Sequence, residues 1–284
     1  MIGCAALLTR SGCGLFSIVI AANGGTADVP PHRRHERQCR VSRLLFDMKK
    51  LLDLYSGAGL AAIGYNQAGF NVTGVDIEKK TCYAGDTWIQ ADALEVLSDL
   101  NFCRQFDAIH ASPPCQKYSQ STAMFRAAGK QYADLIQPTR DALELIGLPY
   151  VIENVPTAPV RPDIVLHGWM FGLKVMRKRH FELGNWWAMQ PGVPQRIGSV
   201  RDGDFVTVIG KQGYRKYKGL PRGWRPKFDQ GSGLKTWHFA MGIPFEYTFM
   251  DVEISEGIPP AYTKYIGSRL IEYLDQVASF SLVG

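Results

Sequence analysis

The sequence of 284 residues has no apolar run of about 18 residues or more, so no segment reads as a membrane-spanning helix. Its six cysteines are Cys4, Cys13, Cys39, Cys82, Cys103 and Cys115, and no two form a C-x-x-C pair. That spacing argues against a zinc site, and six thiols are sparse for a disulfide scaffold. The expectation is therefore no metal and a reduced, cytoplasmic setting. No internal repeat is present. One stretch lacks acids altogether: residues 211–227 hold Lys211, Arg215, Lys216, Lys218, Arg222, Arg225 and Lys227 without a single Asp or Glu.

The apolar fraction of 46% is ordinary for a globular chain and allows a substantial core. The net charge of +6 is concentrated. Residues 1–47 carry six arginines against three acids, and with residues 211–227 they leave the remaining body slightly acidic. A basic segment on an acidic body suits a polyanion, although a solvated basic loop looks the same in sequence. Residues 1–47 show no sustained period, contain Gly24-Gly25 and Pro30-Pro31, and precede Met48, which opens directly into a strand. They read as a disordered extension or a misassigned start. The rest divides into a catalytic and cofactor-binding domain (48–183), a small loop-rich recognition region (184–250) and a C-terminal helix returning to the first domain (251–284).

Within 48–183, short apolar strands alternate with helical stretches, the pattern of a doubly wound, mostly parallel α/β sheet. Lys50 to Leu54 runs into Tyr55-Ser56-Gly57-Ala58-Gly59 and then a helix over Ala61 to Ala68. Glycines between a strand and a helix allow a tight turn and close approach of a ligand. Gly64 does not complete the dinucleotide spacing, so a nicotinamide cofactor is not favoured. Phe70 to Asp76 is a second strand; Asp76 lies 19 residues beyond Gly57, where an acid can bond ribose hydroxyls, or else cap a helix. Trp88 to Ala93 gives a third strand end carrying Asp92, near where an adenine would lie. Phe106 to His110 leads to Ser112-Pro113-Pro114-Cys115-Gln116. The two prolines stiffen this turn, so Cys115 is a candidate nucleophile, with a buried inert thiol as the plainer alternative. Pro138 to Ile146 is helical. Pro149 to Val155 is a fifth strand, ending in Glu153, an acid that is costly to bury without a partner. Arg177, Arg179 and Phe181 alternate and share one strand face, where two arginines need an anion. Tyr214, Tyr217 and Trp224 interleave with the basic segment, as phosphate contact plus base stacking would require. A helix from Ile258 to about Val277 closes the chain.

Taken together, Asp53 to Gly59, Val75-Asp76-Ile77, Ser112-Pro113-Pro114-Cys115-Gln116, Glu153-Asn154-Val155, Arg177-Lys178-Arg179 and Pro259-Pro260-Ala261-Tyr262 to Ile266-Gly267 resemble, in that order, a cytosine-5 DNA methyltransferase of the compact kind found in phages and prophages. The resemblance spans about residues 50 to 275. It implies the fold of S-adenosylmethionine-dependent methyltransferases and S-adenosyl-L-methionine as cofactor. It also implies double-stranded DNA as partner and a monomer in solution. Cys115 would add to carbon 6 of a flipped-out cytosine, and Glu153 would hold the ring nitrogen and amine and give a proton. Arg179, with Arg177, would stabilise developing charge. Tyr55 would stack near the adenine, Ser56 to Gly59 would line the methionine end, Asp76 would take the ribose and Asp92 the adenine amine. Asp53, Ile77, Ala93, Pro113 and Ser268 fall in the same cofactor-binding set.

Three positions depart from the family pattern. Asp76 stands where Glu is commoner, Val175 where a Gln precedes the arginines, and Ser268 where Asn usually follows the glycine. An RNA (tRNA) cytosine-5 methyltransferase and a non-catalytic DNA-binding relative are the competing readings. The intact Cys115 and Glu153 speak against the latter.

Overall fold

The structure is a computed structural model that describes residues 8–10, 16–18, 48–79, 82–210, 220 and 223–281. The expectations for the remainder of 1–47, and for the basic residues at 211–219 and 221–222 with Tyr214 and Tyr217, lie outside the described residues. Strands β1 (Leu8–Arg10) and β2 (Phe16–Ile18) pair antiparallel in a separate two-stranded sheet.

The main sheet has seven strands in the order β5-β4-β3-β6-β7-β9-β8. They are β3 (Lys50–Leu54), β4 (Asn71–Asp76), β5 (Thr87–Gln90), β6 (Ala108–Ala111), β7 (Tyr150–Asn154), β8 (Ile164–His167) and β9 (Lys178–Gly184). The first five are parallel, and β9 runs antiparallel to both β7 and β8. From β3 the chain winds outward through β4 to β5, then returns to β6 on the other side and continues to β7. The order reverses between β3 and β6, and ligands of open α/β sheets bind at the carboxyl ends flanking such a point. Both the Gly57–Gly59 turn and the Cys115 loop emerge there.

The sequence alternation explains the layers. Leu51 and Val72 face one core together with helix α1 (Leu60–Ala68) and the C-terminal α8 (Pro260–Ser281). Leu52, Leu54 and Val75 face the other, with α2 (Ala93–Ser98) and α5 (Ile136–Ile146). Between β5 and α5 lie also α3 (Leu100–Cys103) and α4 (Ala123–Ala127). The α1–α8 contact is close because Gly64 has no side chain: a Cβ there would sit 2.1 Å from the Pro260 carbonyl oxygen. The helix expected from Pro138 starts at Ile136, with Pro138 in its first turn, where a missing N–H costs nothing.

The described residues of 184–250 are largely irregular and, among them, no separate core forms. Val206, Val208, Trp237 of α6 (Gly233–Ala240), Met241 and Phe249 pack with Ala58, Leu60 and Ile63 at the start of α1 and with Ile254 of α7 (Asp251–Glu256). The region is therefore fastened to the glycine turn. Among the described residues no helix is long and apolar enough to cross a membrane. Cys103 and Cys115 are free thiols, while Cys82 is disulfide-bonded, which the expectation of a wholly reduced chain did not include.

Candidate active site

The turn after β3 is built from left-handed backbone. Tyr55 (φ 57°), Gly57 (φ 55°) and Gly59 (φ 86°) all have positive φ. For a non-glycine residue such as Tyr55 this is strained, and strain of this kind collects at ligand sites. Gly59 has a second requirement, since a Cβ on it would lie 2.7 Å from the Tyr83 ring. Gly57 meets nothing within 4 Å where a Cβ would point, so its backbone borders open space. Its N–H donates to Asp76 Oδ2 at 2.8 Å, and Asp76 Oδ1 accepts from Glu78 N–H at 2.9 Å. Asp76 thus ties the second strand end to the turn, rather than capping a helix.

Buried polar atoms without hydrogen-bond partners border the same turn. Among the described residues the Ser56 hydroxyl has none, and the buried Asp53 carboxyl has only the Tyr83 hydroxyl beside it. Burial, then repulsion from Asp76, pushes the Asp53 carboxyl up to about 8. Ile77 is 64% exposed just past β4, an apolar side chain at the rim. Tyr55 donates to or accepts from Thr139 Oγ1 at 2.8 Å and feels the charge of Asp92. Orphaned polar groups, a glycine cradle, an acid at the β4 end and an aromatic beside a second acid fit a nucleoside carrying a polar tail.

Not every expected cofactor residue is brought there. Asp92 reaches the neighbourhood of Tyr55, but its Oδ1 caps α2 through Leu94 and Glu95 N–H groups at 2.7 and 3.3 Å. Ala93 is buried as the first residue of that helix. Ser268 is not at the turn: its hydroxyl donates to the Lys264 carbonyl at 2.9 Å, and the adjacent Gly267 packs on Ala68 at the far end of α1. The C-terminal residues that reach the start of α1 are instead near Gly257, where a Cβ would meet Leu60.

The second half of the site lies on β6 and β7. Pro113 is buried and its carbonyl accepts from Asn154 Nδ2 at 2.8 Å, so the stiff turn is pinned to the neighbouring strand. Tyr118 and Ser119 N–H groups donate back to the Cys115 carbonyl at 2.9 and 2.8 Å. Downstream, Arg126 donates to the carbonyls of Gln116 and Ser119, and Lys117 pairs with Asp134 at 2.9 Å. Cys115 itself is partly exposed. Glu153 is buried and forms an ion pair with Arg179, Nε to Oε1 2.7 Å. Burial pushes the Glu153 carboxyl above its usual range, and Arg179, Arg177 and a hydrogen bond from Ser112 pull it back. Burial likewise raises the Cys115 thiol; Arg179 opposes this, Glu153 adds to it and Arg177 opposes it. Both arginines favour the thiolate, but burial is the larger effect.

The two arginines part company. Arg179 faces Glu153, whereas Arg177 donates to the Val208 and Ser255 carbonyls at 3.1 and 2.7 Å, and its own carbonyl accepts from the Tyr262 hydroxyl. Arg177 is fully enclosed and its guanidinium is lowered to about 9, chiefly by burial and then by Arg179. It clamps three chain segments together and reaches the site only as a charge. Ser112 and Asn154, which lie in the motifs but had no role assigned, contact Glu153 and Pro113, and Tyr83, outside the motifs, lays its ring against Gly59, Gly74 and Gly85.

Of the basic segment, Trp224 donates to the Arg201 carbonyl at 3.1 Å, while Arg225 and Lys227 form exposed pairs with Asp229 and Asp204 at 2.8 and 2.7 Å. Those two charges are already compensated within the protein.

The mixed sheet and its glycine turn give the chain the fold of S-adenosylmethionine-dependent methyltransferases. The model of the family C-5 cytosine-specific DNA methylase matches residues 49–157. That family uses S-adenosylmethionine as its cofactor. Two solved structures share the fold. One is a candidate DNA modification methyltransferase encoded within an Escherichia coli prophage, 15% identical over 80% of this chain and 99% of that one, TM-score 0.51. The other is a Spodoptera frugiperda DNMT2 mutant, 14% identical over 78% of this chain and 99% of that one, TM-score 0.50. No curated protein matched the sequence.

Proposed function

We propose that the protein methylates carbon 5 of cytosine in double-stranded DNA through a covalent adduct with Cys115. The observation that carries this is the shared environment of Cys115, Glu153 and Arg179 at the same sheet edge as the glycine turn. Cytosine carbon 5 is a poor nucleophile. Addition of the Cys115 thiolate to carbon 6 pushes the ring electron pair to carbon 5, and Glu153 supplies a proton to the ring nitrogen as the adduct forms. Arg179 stabilises the charge that develops beside it. The cofactor supplies an electrophilic methyl group. Loss of the carbon-5 proton then re-forms the ring double bond and expels the Cys115 sulfur.

By this reading Tyr55, Ser56, Gly57, Gly59, Asp53, Asp76, Ile77 and Asp92 bind the cofactor, with Pro113 beside it. The target base leaves the duplex to reach the thiol. The family description and the prophage relative support DNA as substrate, a phage-type protein acting as a cytoplasmic monomer completes the reading, and residues 184–250 read the target sequence.

The test pairs duplex DNA with tRNA as substrates and follows cytosine-5 methylation by bisulfite sequencing. Duplex methylation that Cys115→Ser abolishes, with unchanged cofactor affinity, is expected. Methylation of tRNA alone assigns the substrate to RNA; full activity of Cys115→Ser overturns the covalent step. DNA carrying 5-fluorocytosine provides a second readout, because fluorine leaves no carbon-5 proton to lose. A complex stable to denaturation is expected with the natural chain and not with Cys115→Ser.

A further inference from the structure

Behind Glu153 runs a line of polar side chains that the methyl transfer itself does not use. Tyr65 comes from α1, His110 from β6 and Ser112 from the turn that follows. The Tyr65 hydroxyl lies 2.9 Å from His110 Nδ1, and His110 Nε2 lies 2.8 Å from Ser112 Oγ. Ser112 in turn is hydrogen-bonded to the Glu153 carboxyl. Strand pairing accounts for this last link: Ala111 lies beside Ile152 in the parallel β6–β7 ladder, which sets Ser112 beside Glu153. Tyr65 and His110 are fully buried.

The far end fixes the direction of this path. Burial holds the His110 imidazole down to about 3, so the ring is neutral and carries one N–H. A neutral imidazole donates through one nitrogen and accepts through the other. Among the described residues the Tyr65 hydroxyl meets one hydrogen-bond partner, His110 Nδ1. Tyr65 therefore donates, Nδ1 accepts, Nε2–H donates to Ser112, and the Ser112 hydroxyl donates to Glu153. Reversed, the path would leave the Tyr65 O–H buried and unpaired, which is unfavourable. The reversed path is also the one that would accept a proton from a neutral Glu153.

We propose that Tyr65 and His110 are positioning residues that act through Ser112 to aim a donor at Glu153 and so set the orientation and acidity of its carboxyl. The other groups facing Glu153 are Arg179 and Arg177 from the β9 side, Cys115 from the β6 turn and Tyr262 from α8; Asp53 of β3 faces Tyr65. β7 lies between β6 and β9, so the arginines and the Tyr65 path approach the carboxyl from opposite sides. The functional importance of the path rests on the reading of Glu153 as the group that holds cytosine; its existence does not.

The test is an infrared titration of the folded protein, with the Glu153 carboxyl band identified by its loss in Glu153→Gln. Tyr65→Phe keeps the ring and removes the donor, making the two directions of the path comparable. The Glu153 pKa is expected to rise by about one unit, a tenfold change. Ser112→Ala, which removes the last donor, moves it the same way and serves if Tyr65→Phe does not fold. The alkaline limb of the pH profile for cytosine methylation, where Glu153 loses the proton it supplies, moves with it, while cofactor affinity stays constant. A Glu153 pKa unchanged in both variants overturns the proposal. A shifted pKa in a protein that methylates no cytosine overturns the functional reading and leaves the path standing.

Discussion

Replacing Arg179 with Met keeps most of its aliphatic bulk and removes the charge beside Glu153. At the observed 2.7 Å, two unit charges attract by about 6 kcal/mol at an effective dielectric of about 20. Desolvation cancels much of this, as the raised Glu153 carboxyl indicates. Breaking such a pair leaves an uncompensated buried carboxylate, which typically costs about 3–5 kcal/mol. Glu153 can take up a proton instead of staying charged, so about 3 kcal/mol is expected at neutral pH. Because the folded pKa lies above the unfolded value, ionisation of Glu153 opposes folding as pH rises. The stability gap between natural chain and variant should be largest at neutral pH and narrow as pH falls toward the unfolded carboxyl value of about 4.5. Urea denaturation at several pH values measures this. In a Glu153→Gln background the same Arg179→Met change should cost less than about 1 kcal/mol, because the charge it balanced is gone. An equal cost in both backgrounds, or a pH-independent one, refutes the pairing.

Gly59→Ala forces an alanine into φ 86° and a Cβ to within 2.7 Å of the Tyr83 ring, so a loss of about 1–3 kcal/mol in stability and weakened cofactor binding should appear in denaturation and calorimetry. Gly64→Ala drives α1 off α8, since its Cβ would meet the Pro260 carbonyl at 2.1 Å; a loss above about 2 kcal/mol is expected, and a neutral result contradicts the close packing. Arg140 bonds Glu182 through two nitrogens at 2.7 and 2.8 Å. Burial raises the Glu182 carboxyl, but the bond from Arg140 and those around it outweigh burial and leave it below the ordinary value. That stability is present above the unfolded pKa and lost as pH falls through the folded one, so Arg140→Met should be most damaging near neutrality and least in acid. Alkylation of Cys115, followed by mass spectrometry across pH, should have its midpoint above the ordinary thiol value of 9.0; a midpoint near 7 contradicts the dominance of burial.

The short apolar runs between Lys50 and Asn154 were enough to locate five strands, because a parallel strand covered on both faces needs a continuous apolar run. Gly57 and Gly59 were legible for a local reason: only glycine adopts their backbone cheaply. Cys115 and Glu153 were legible because both close a strand, and parallel strands bring their carboxyl ends to one edge. Arg177 and Arg179 could not be separated, since strand parity gives them the same face. Their roles were decided by partners far away in the chain, the Ser255 carbonyl for one and Glu153 for the other.

The hydrogen bonds of Asp92 to the start of α2 and of Ser268 to the Lys264 carbonyl were not legible in the motifs, because helix boundaries are poorly marked in sequence. Tyr65 and His110 gave no sequence signal at all. A tyrosine on the inner face of a helix and a histidine within a strand read as core residues, and core residues they are. Composition and local pattern thus determined the class of sheet, its turns and the two groups most central to the proposed chemistry. Only the packing of α1 onto β6 decided that two buried polar side chains, 45 residues apart, would meet and point toward Glu153. Hydrogen bonds of that kind depend on the relative placement of elements, which no local preference in the chain encodes.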